Sequence, residues 1–130
     1  REEPQVLSFA QQRLWFLEQL LPNTGLYHNP MSFRILGDLN VEALRQSLDA
    51  LVSRHEILRT VIINSEGIAL QKVLPEDIGF DLRENDQDID SFIKEPFQFD
   101  QEPACKGLLI KRSEQEHILV LLFHHIVVDD

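Results

Sequence analysis

Phe123-His124-His125-Ile126-Val127-Val128-Asp129-Asp130 sets two adjacent histidines at the end of a strongly apolar run, with two aspartates just beyond. An imidazole can accept a proton near neutral pH, and one whose orientation is fixed can take it from an attacking nucleophile. Adjacent strand residues point to opposite faces, so one histidine packs into the fold while the other faces open space. That divergence argues against metal: neighbouring strand residues do not converge on one ion, and no third ligand stands at a zinc-like spacing. An aspartate four residues past His125 can reach back to an arginine and hold the turn; if buried, Asp129 needs such a partner. From these residues alone two readings stand side by side, a satisfied core histidine and an acid–base site without a named substrate.

The elements that must present the pair follow from periodicity. Ser8 with Gln11 three residues on forms a capping-box pattern, and apolar residues at 10, 14, 17 and 21 share one face, so a helix is expected over Ser8 to Leu20, ending before Pro22. MSFRILG reads as a short strand with Met31, Phe33 and Ile35 on one side. Asn40 reads as the N-cap of a second helix from Val41 to about His55, with its stripe at 44, 48, 51, 52 and 55. Two β-rich runs flank Asn64-Ser65-Glu66-Gly67, a hairpin pattern. ENDQDIDSFIKEPFQFD holds a short helix stopped by Pro96. KGLLIKRSEQEHILVLLFHH is a second hairpin turning at Ser113-Glu114-Gln115-Glu116, whose second strand is apolar at consecutive positions and so buried on both faces. The expected architecture is mixed α/β, with the most buried strand ending at the histidines.

Composition bounds the rest. With 130 residues, 43% hydrophobic and 26% charged, the chain is of ordinary globular type. Its longest apolar run, Ile118 to Phe123, is far too short to span a bilayer, and REEPQV carries no signal-peptide pattern. The single cysteine, Cys105, cannot form an internal disulfide and fits a reducing, cytoplasmic setting. A net charge of −10 argues against nucleic acid. Eleven acidic residues against three basic ones lie between Glu66 and Glu102, a composition that suits a solvated face.

With these residues in view, FHHIVVDD resembles the His-His-x-x-x-Asp signature of nonribosomal peptide synthetase condensation domains. A shorter version occurs in chloramphenicol acetyltransferase and its relatives, so two further motifs matter. SFAQQRLWFL, Ser8 to Leu17, resembles the family's first core motif, and RHEILRT, Arg54 to Thr60, resembles its second. PFQFD near Pro96 is similar to the family's Pro-Phe-Asp-Leu stretch. The motifs come in family order across essentially the whole chain.

The resemblance implies a chloramphenicol acetyltransferase-like α/β sandwich with a mixed sheet, of which residues 1–130 are the N-terminal portion of the N-lobe, the remainder of that lobe and the C-lobe being absent. It implies amide formation between a donor acyl or peptidyl thioester and an acceptor aminoacyl thioester, both on phosphopantetheine arms of carrier domains, with no cofactor bound by the domain itself. The implied partners are an upstream donor carrier, a downstream acceptor carrier and an adjacent adenylation domain. By motif position His125 is the catalytic histidine, His124 packs behind the strand, and Asp129 pairs with Arg54, with Arg59 as the alternative. The family usually has glycine where this chain has Asp130, and again where it has Glu102. Neither change removes the second histidine. Three rivals share part of the pattern: a coenzyme A-dependent acyltransferase, an epimerisation domain and a non-catalytic carrier-docking domain. The 130 residues alone are expected to be inactive and marginally stable, with sheet edges and apolar surface left uncovered.

Overall fold

A computed structural model of the chain describes residues 5–6, 11, 28–85 and 87–124. Of the helix expected over Ser8 to Leu20 only Gln11 falls among them, and Pro22 lies outside them too. Seven strands are described: β1 (Gln5–Val6), β2 (His28–Leu36), β3 (Thr60–Ser65), β4 (Ile68–Val73), β5 (Leu82–Glu84), β6 (Cys105–Ser113) and β7 (Glu116–His124). Helices α1 (Val41–Arg54) and α2 (Ile89–Lys94) and a 3-10 turn, Glu56–Arg59, complete them.

Local chemistry accounts for the boundaries. Asn40, in an extended conformation, accepts the Ala43 N–H on Oδ1 at 3.0 Å and starts α1. Asp88 does the same for α2 through the Ser91 N–H at 2.8 Å, and Pro96 follows the Glu95 C-cap. Between β3 and β4, Glu66 and Gly67 have φ of 52° and 82°. Positive φ at both central residues is the geometry of a tight hairpin turn matched to the strands' right-handed twist. The β6–β7 hairpin turns at Glu114-Gln115, and Gly37 donates to the Gln115 carbonyl at 2.8 Å, tying that turn to the end of β2.

The strands form a three-stranded sheet, ordered β1-β4-β3, and a four-stranded sheet, ordered β2-β7-β6-β5. The larger one is mixed: β5 runs parallel to β6, whereas β2–β7 and β6–β7 are antiparallel. Central strand β7 is covered on both faces, with Leu119 buried on one and Val120 and Leu122 on the other. Helix α1 packs Leu48 against Leu82, Leu109 and Leu119. The opposite face carries Phe92 of α2, Phe97, Phe99, Leu108, Val120 and Leu122, joined by Ile62 from the smaller sheet. Each fully buried side chain of this size stabilises the fold by about 1.5–3 kcal/mol.

The structure departs from the sequence expectations in two places. Leu51 and His55, both assigned to the α1 stripe, are exposed, Leu51 at 45%, because the buried row of α1 follows Leu48 and Val52 and the helix ends at Arg54. Strand β2 begins at His28, earlier than the alternating pattern suggested, and Met31 and Phe33, which share a face, are 45% and 43% exposed. Among the described residues no helix is long and apolar enough to cross a membrane.

Candidate functional site

The last described residue of β7 is His124, and its side chain is fully buried. Antiparallel pairing with β2 sets it directly opposite His28, and its backbone N–H donates to the Ala104 carbonyl at 3.0 Å. Three rings enclose the imidazole edge-to-face: His28 at 5.4 Å between centroids, Phe97 at 6.2 Å and Phe99 at 5.0 Å. Phe97 also meets His28 at 5.1 Å and stacks on Phe99 at 6.2 Å. Edge-to-face contacts of this kind orient a ring as well as bury it.

His28 is itself fixed. Its Nδ1 lies 2.5 Å from the carbonyl oxygen of Ile93. A carbonyl oxygen can only accept, so the bond places a proton on Nδ1 and sets the ring's orientation. His28 lies outside the MSFRILG pattern that marks the strand in the sequence. Its site role depends on a register between two strands far apart in the chain, which no local pattern announces.

Beside this ring cluster lies an ion-pair network. Lys106 of β6, 1% exposed, reaches the Glu95 carboxylate at 3.2 Å and the Glu95 carbonyl at 3.4 Å. Its ammonium stands 5.0 Å from the ring centres of both Phe92 and Phe97. Arg83 of β5 donates to the same Glu95 oxygen at 2.5 Å, to Gln87 at 2.9 Å and to Asp81 at 3.3 Å. Burial holds the Lys106 pKa below the usual lysine range, because desolvation outweighs its pairing with Glu95. For Glu95 the balance reverses: partial burial works against the charge, but the bonds from Arg83 and Lys106 prevail and lower its pKa.

The two arginines of RHEILRT occupy different environments. Arg54, the last residue of α1, is exposed. Arg59 is buried, donating from Nε to the Val52 carbonyl at 3.2 Å and from Nη1 to the Leu74 carbonyl at 2.6 Å. It therefore satisfies one of the carbonyls left open at the C-terminal end of α1. His125, Asp129 and Asp130 lie outside the described residues.

Cys105 is buried, lines a cavity of about 340 Å³ with Val52 and Leu58, and has its Sγ 3.6 Å from the Leu58 carbonyl. Burial, with smaller contributions from Asp81 and Glu102, pushes its thiol pKa up to about 12, so it stays protonated and poorly nucleophilic at neutral pH. Among the described residues no three His, Cys, Asp or Glu side chains converge as a metal set.

Comparison with known proteins bears on what this arrangement serves. The family model for the condensation domain matches residues 1–130. The chain is 40% identical over 141 residues to malpibaldin synthetase of Mortierella alpina, covering 99% of this chain and 2% of that protein. In structure it is similar to the X-domain solved in complex with OxyB from teicoplanin biosynthesis, with TM-score 0.82 and 25% identity over 96% of this chain and 29% of that one. It is also similar to the starter condensation domain of rhizomide synthetase RzmA, with TM-score 0.79 and 19% identity over 96% of this chain and 33% of that one. The chain thus spans a small part of its curated relative and about a third of the solved domains. The last likeness shows the fold, that of the condensation domains with their chloramphenicol acetyltransferase-like architecture.

Proposed function

The chain belongs to the condensation-domain family, and from that premise we propose that it is part of the N-terminal lobe of a peptide-bond-forming condensation domain in a nonribosomal peptide synthetase. The acceptor's amine attacks the carbonyl carbon of the donor thioester. The new C–N bond forms, the C–S bond breaks, and the amine's proton passes to the departing thiolate. Both acyl groups arrive on phosphopantetheine arms of carrier domains. His125 is the group that meets the amine, either taking its proton or orienting it and steadying the tetrahedral intermediate. A positioned base of this kind contributes about 10²–10⁴-fold. Holding the two thioesters together contributes at least comparably.

The observation that carries this reading is the complete His-His-x-x-x-Asp motif in FHHIVVDD, whose first histidine, His124, is the ring-enclosed one. In a continued strand the residue after a buried one turns to the opposite face, which supports a His125 directed away from the ring cluster around His124. Asp129 is proposed to pair with an arginine of RHEILRT. Arg54, exposed, is free to turn toward it, whereas Arg59 already spends two donors on carbonyls. Asp130, in place of the family's usual glycine, is proposed to add negative charge near the acceptor amine.

The test uses the intact domain with donor- and acceptor-loaded carrier proteins and follows amide formation by mass spectrometry. Wild type is expected to give product, cut by tenfold or more in a folded His125→Ala. A second reading, a docking domain without catalysis, is supported by the likeness to an X-domain solved with OxyB. It predicts binding of a partner and no amide from wild type with any cognate pair.

A further inference from the structure

Four residues in alternation, from the end of α2 through Pro96, each hold a different part of the wall behind the histidines. The Ile93 carbonyl fixes His28. The Glu95 carboxylate takes Lys106 and Arg83. The Phe97 ring meets both His28 and His124. The Phe99 ring meets His124, and its carbonyl accepts the Ile62 N–H at 2.7 Å. Two of the three rings around His124 therefore belong to this segment, and the third is hydrogen-bonded to it. Like His28, Lys106 grips the chain on both sides of Pro96, contacting Phe92 and Glu95 before it and Phe97 after it, and it does so with a charge.

Stability alone does not account for a lysine here. Leu122 pairs with it across the ladder, and Leu108 and Val120 share its face, so the site is apolar apart from Glu95 and the Arg83 that shares its carboxylate. An ammonium in such a place carries a desolvation cost that an apolar side chain of similar volume avoids, and exchanging a buried ion pair for apolar residues is often neutral or stabilising. Nor does the cluster project a field: Lys106 and Arg83 are matched by Glu95 and Asp81. What the ammonium supplies and a methyl-terminated chain would not is direction, with a fixed bond to Glu95 and a shared position over two rings.

We infer that Lys106 is a positioning residue for the acyl transfer: anchored on Glu95, it holds the segment 93–99 against the sheet, and the segment fixes His124 and the strand end that leads into His125. The inference rests on the condensation reading above. Its effect is geometric, since displacement of a reacting group by about 1 Å, caused from outside the chemistry, can cost 10²-fold in rate.

The test compares wild type, Lys106→Met and Glu95→Gln in the intact domain, each alone and combined with His125→Ala, at a temperature where melting curves show the variants folded. Single-turnover amide formation at saturating loaded carriers is expected to fall about tenfold in Lys106→Met and about threefold in Glu95→Gln. The carrier concentration giving half-maximal rate should stay within twofold of wild type. In the His125→Ala background Lys106→Met should cost less than twofold, because its effect passes through that histidine. In parallel, histidine-labelled domain is observed by NMR: the His124 and His125 imidazole signals, single in wild type, should shift or broaden in Lys106→Met. A rate within twofold of wild type overturns the inference, as does an equal loss in both backgrounds, or unmoved imidazole signals. If Lys106→Met does not fold, Glu95→Gln decides by the same criteria. If wild type forms no amide, the condensation reading fails, and the imidazole signals alone then support or sink the positioning role.

Discussion

The two faces of the four-stranded sheet are built from the same strands yet by different rules. Under α1 the buried hydrophobic contacts are Leu48, Leu82, Leu109 and Leu119, and a buried polar side chain, His117, stands on that face near the start of β7. On the α2 face, between equally buried Leu108, Val120 and Leu122, stand His28, Lys106 and His124, each more than nine-tenths buried. Apolar packing is non-directional and satisfied by volume. Buried polar groups must be met atom by atom, and here the meeting is done by one short segment beside the strand end. The contrast teaches where this domain invests in geometry and where it invests only in burial, and the variants below are chosen to break or sharpen it.

The largest stability effect is expected among the leucines packed under α1. Leu109→Ala removes a side chain that is 2% exposed between α1 and the sheet and should lower unfolding free energy by about 3 kcal/mol. Measured by denaturant titration of the intact domain, the loss should leave the single-turnover rate of the folded fraction within about twofold. Lys106→Met should do the reverse, a small stability change with a tenfold rate loss. If Leu109→Ala slows turnover as much as Lys106→Met does, the two faces are not functionally distinct.

Overpacking on the same face comes next. A Cβ on Gly107 would stand 2.9 Å from a Phe80 ring carbon, 3.1 Å from a Leu82 methyl and 3.2 Å from a Leu121 methyl. The Phe80 backbone is tied to α1, its N–H donating to Asp49 at 2.8 Å, which limits how far the residue can withdraw. Gly107→Ala should therefore cost about 2 kcal/mol by the same titration. A change below about 0.5 kcal/mol would mean that the α1 face is loosely packed and that the contrast with the α2 face is one of tightness as well as charge.

How much of this was legible beforehand differs between the faces in a physical way. Local signals gave the Asn40 cap, the Gly67 and Gln115 turns and the Pro96 stop, because each is settled within a few residues by backbone chemistry. The covered faces of β7 were legible from its unbroken apolar run. His28, Lys106 and the segment 93–99 were not. Lys106 lies in KGLLIKR, where a lysine reads as a strand end in water, and only α2 folding over it makes it buried. His28 enters the site through a long-range register, and β5 is too short and polar for its parallel pairing with β6 to be read at all. Directional contacts depend on which distant residue arrives opposite, and a single sequence does not state that. The motif around His125 was read by resemblance, which is why the chemistry was legible before the wall that orients it.

The smallest effect is a titration, and it separates the ion pair from the packing around it. Glu95 has its carboxyl pKa lowered in the folded protein, since Arg83 and Lys106 outweigh its partial burial. A carboxyl with a folded pKa below its unfolded value, about 4.3 for glutamate, binds fewer protons folded than unfolded in that window. Its contribution to stability is therefore fully present above about pH 4.3 and is lost as pH falls through the lower folded value. Glu95 is 39% exposed on its side chain, so water screens the pair and the contribution should stay near 1 kcal/mol or below. Denaturation midpoints of wild type and Glu95→Gln should differ at neutral pH and converge as the pH falls through the lowered folded value, with carboxylates elsewhere, such as Asp88 at the α2 N-cap, moving both proteins alike. Lys106 works with the opposite sign. Its pKa is lowered by burial, so its cost to folding is present at neutral pH and is relieved only as pH rises through the folded value toward about 10.4, a window the acid titration never enters. A gap that persists undiminished down to the lowest pH at which both proteins stay folded would mean that Glu95 acts through shape and its backbone carbonyl, with its charge idle, and the grip of Lys106 on the segment would then rest on that carbonyl and the two phenylalanine rings.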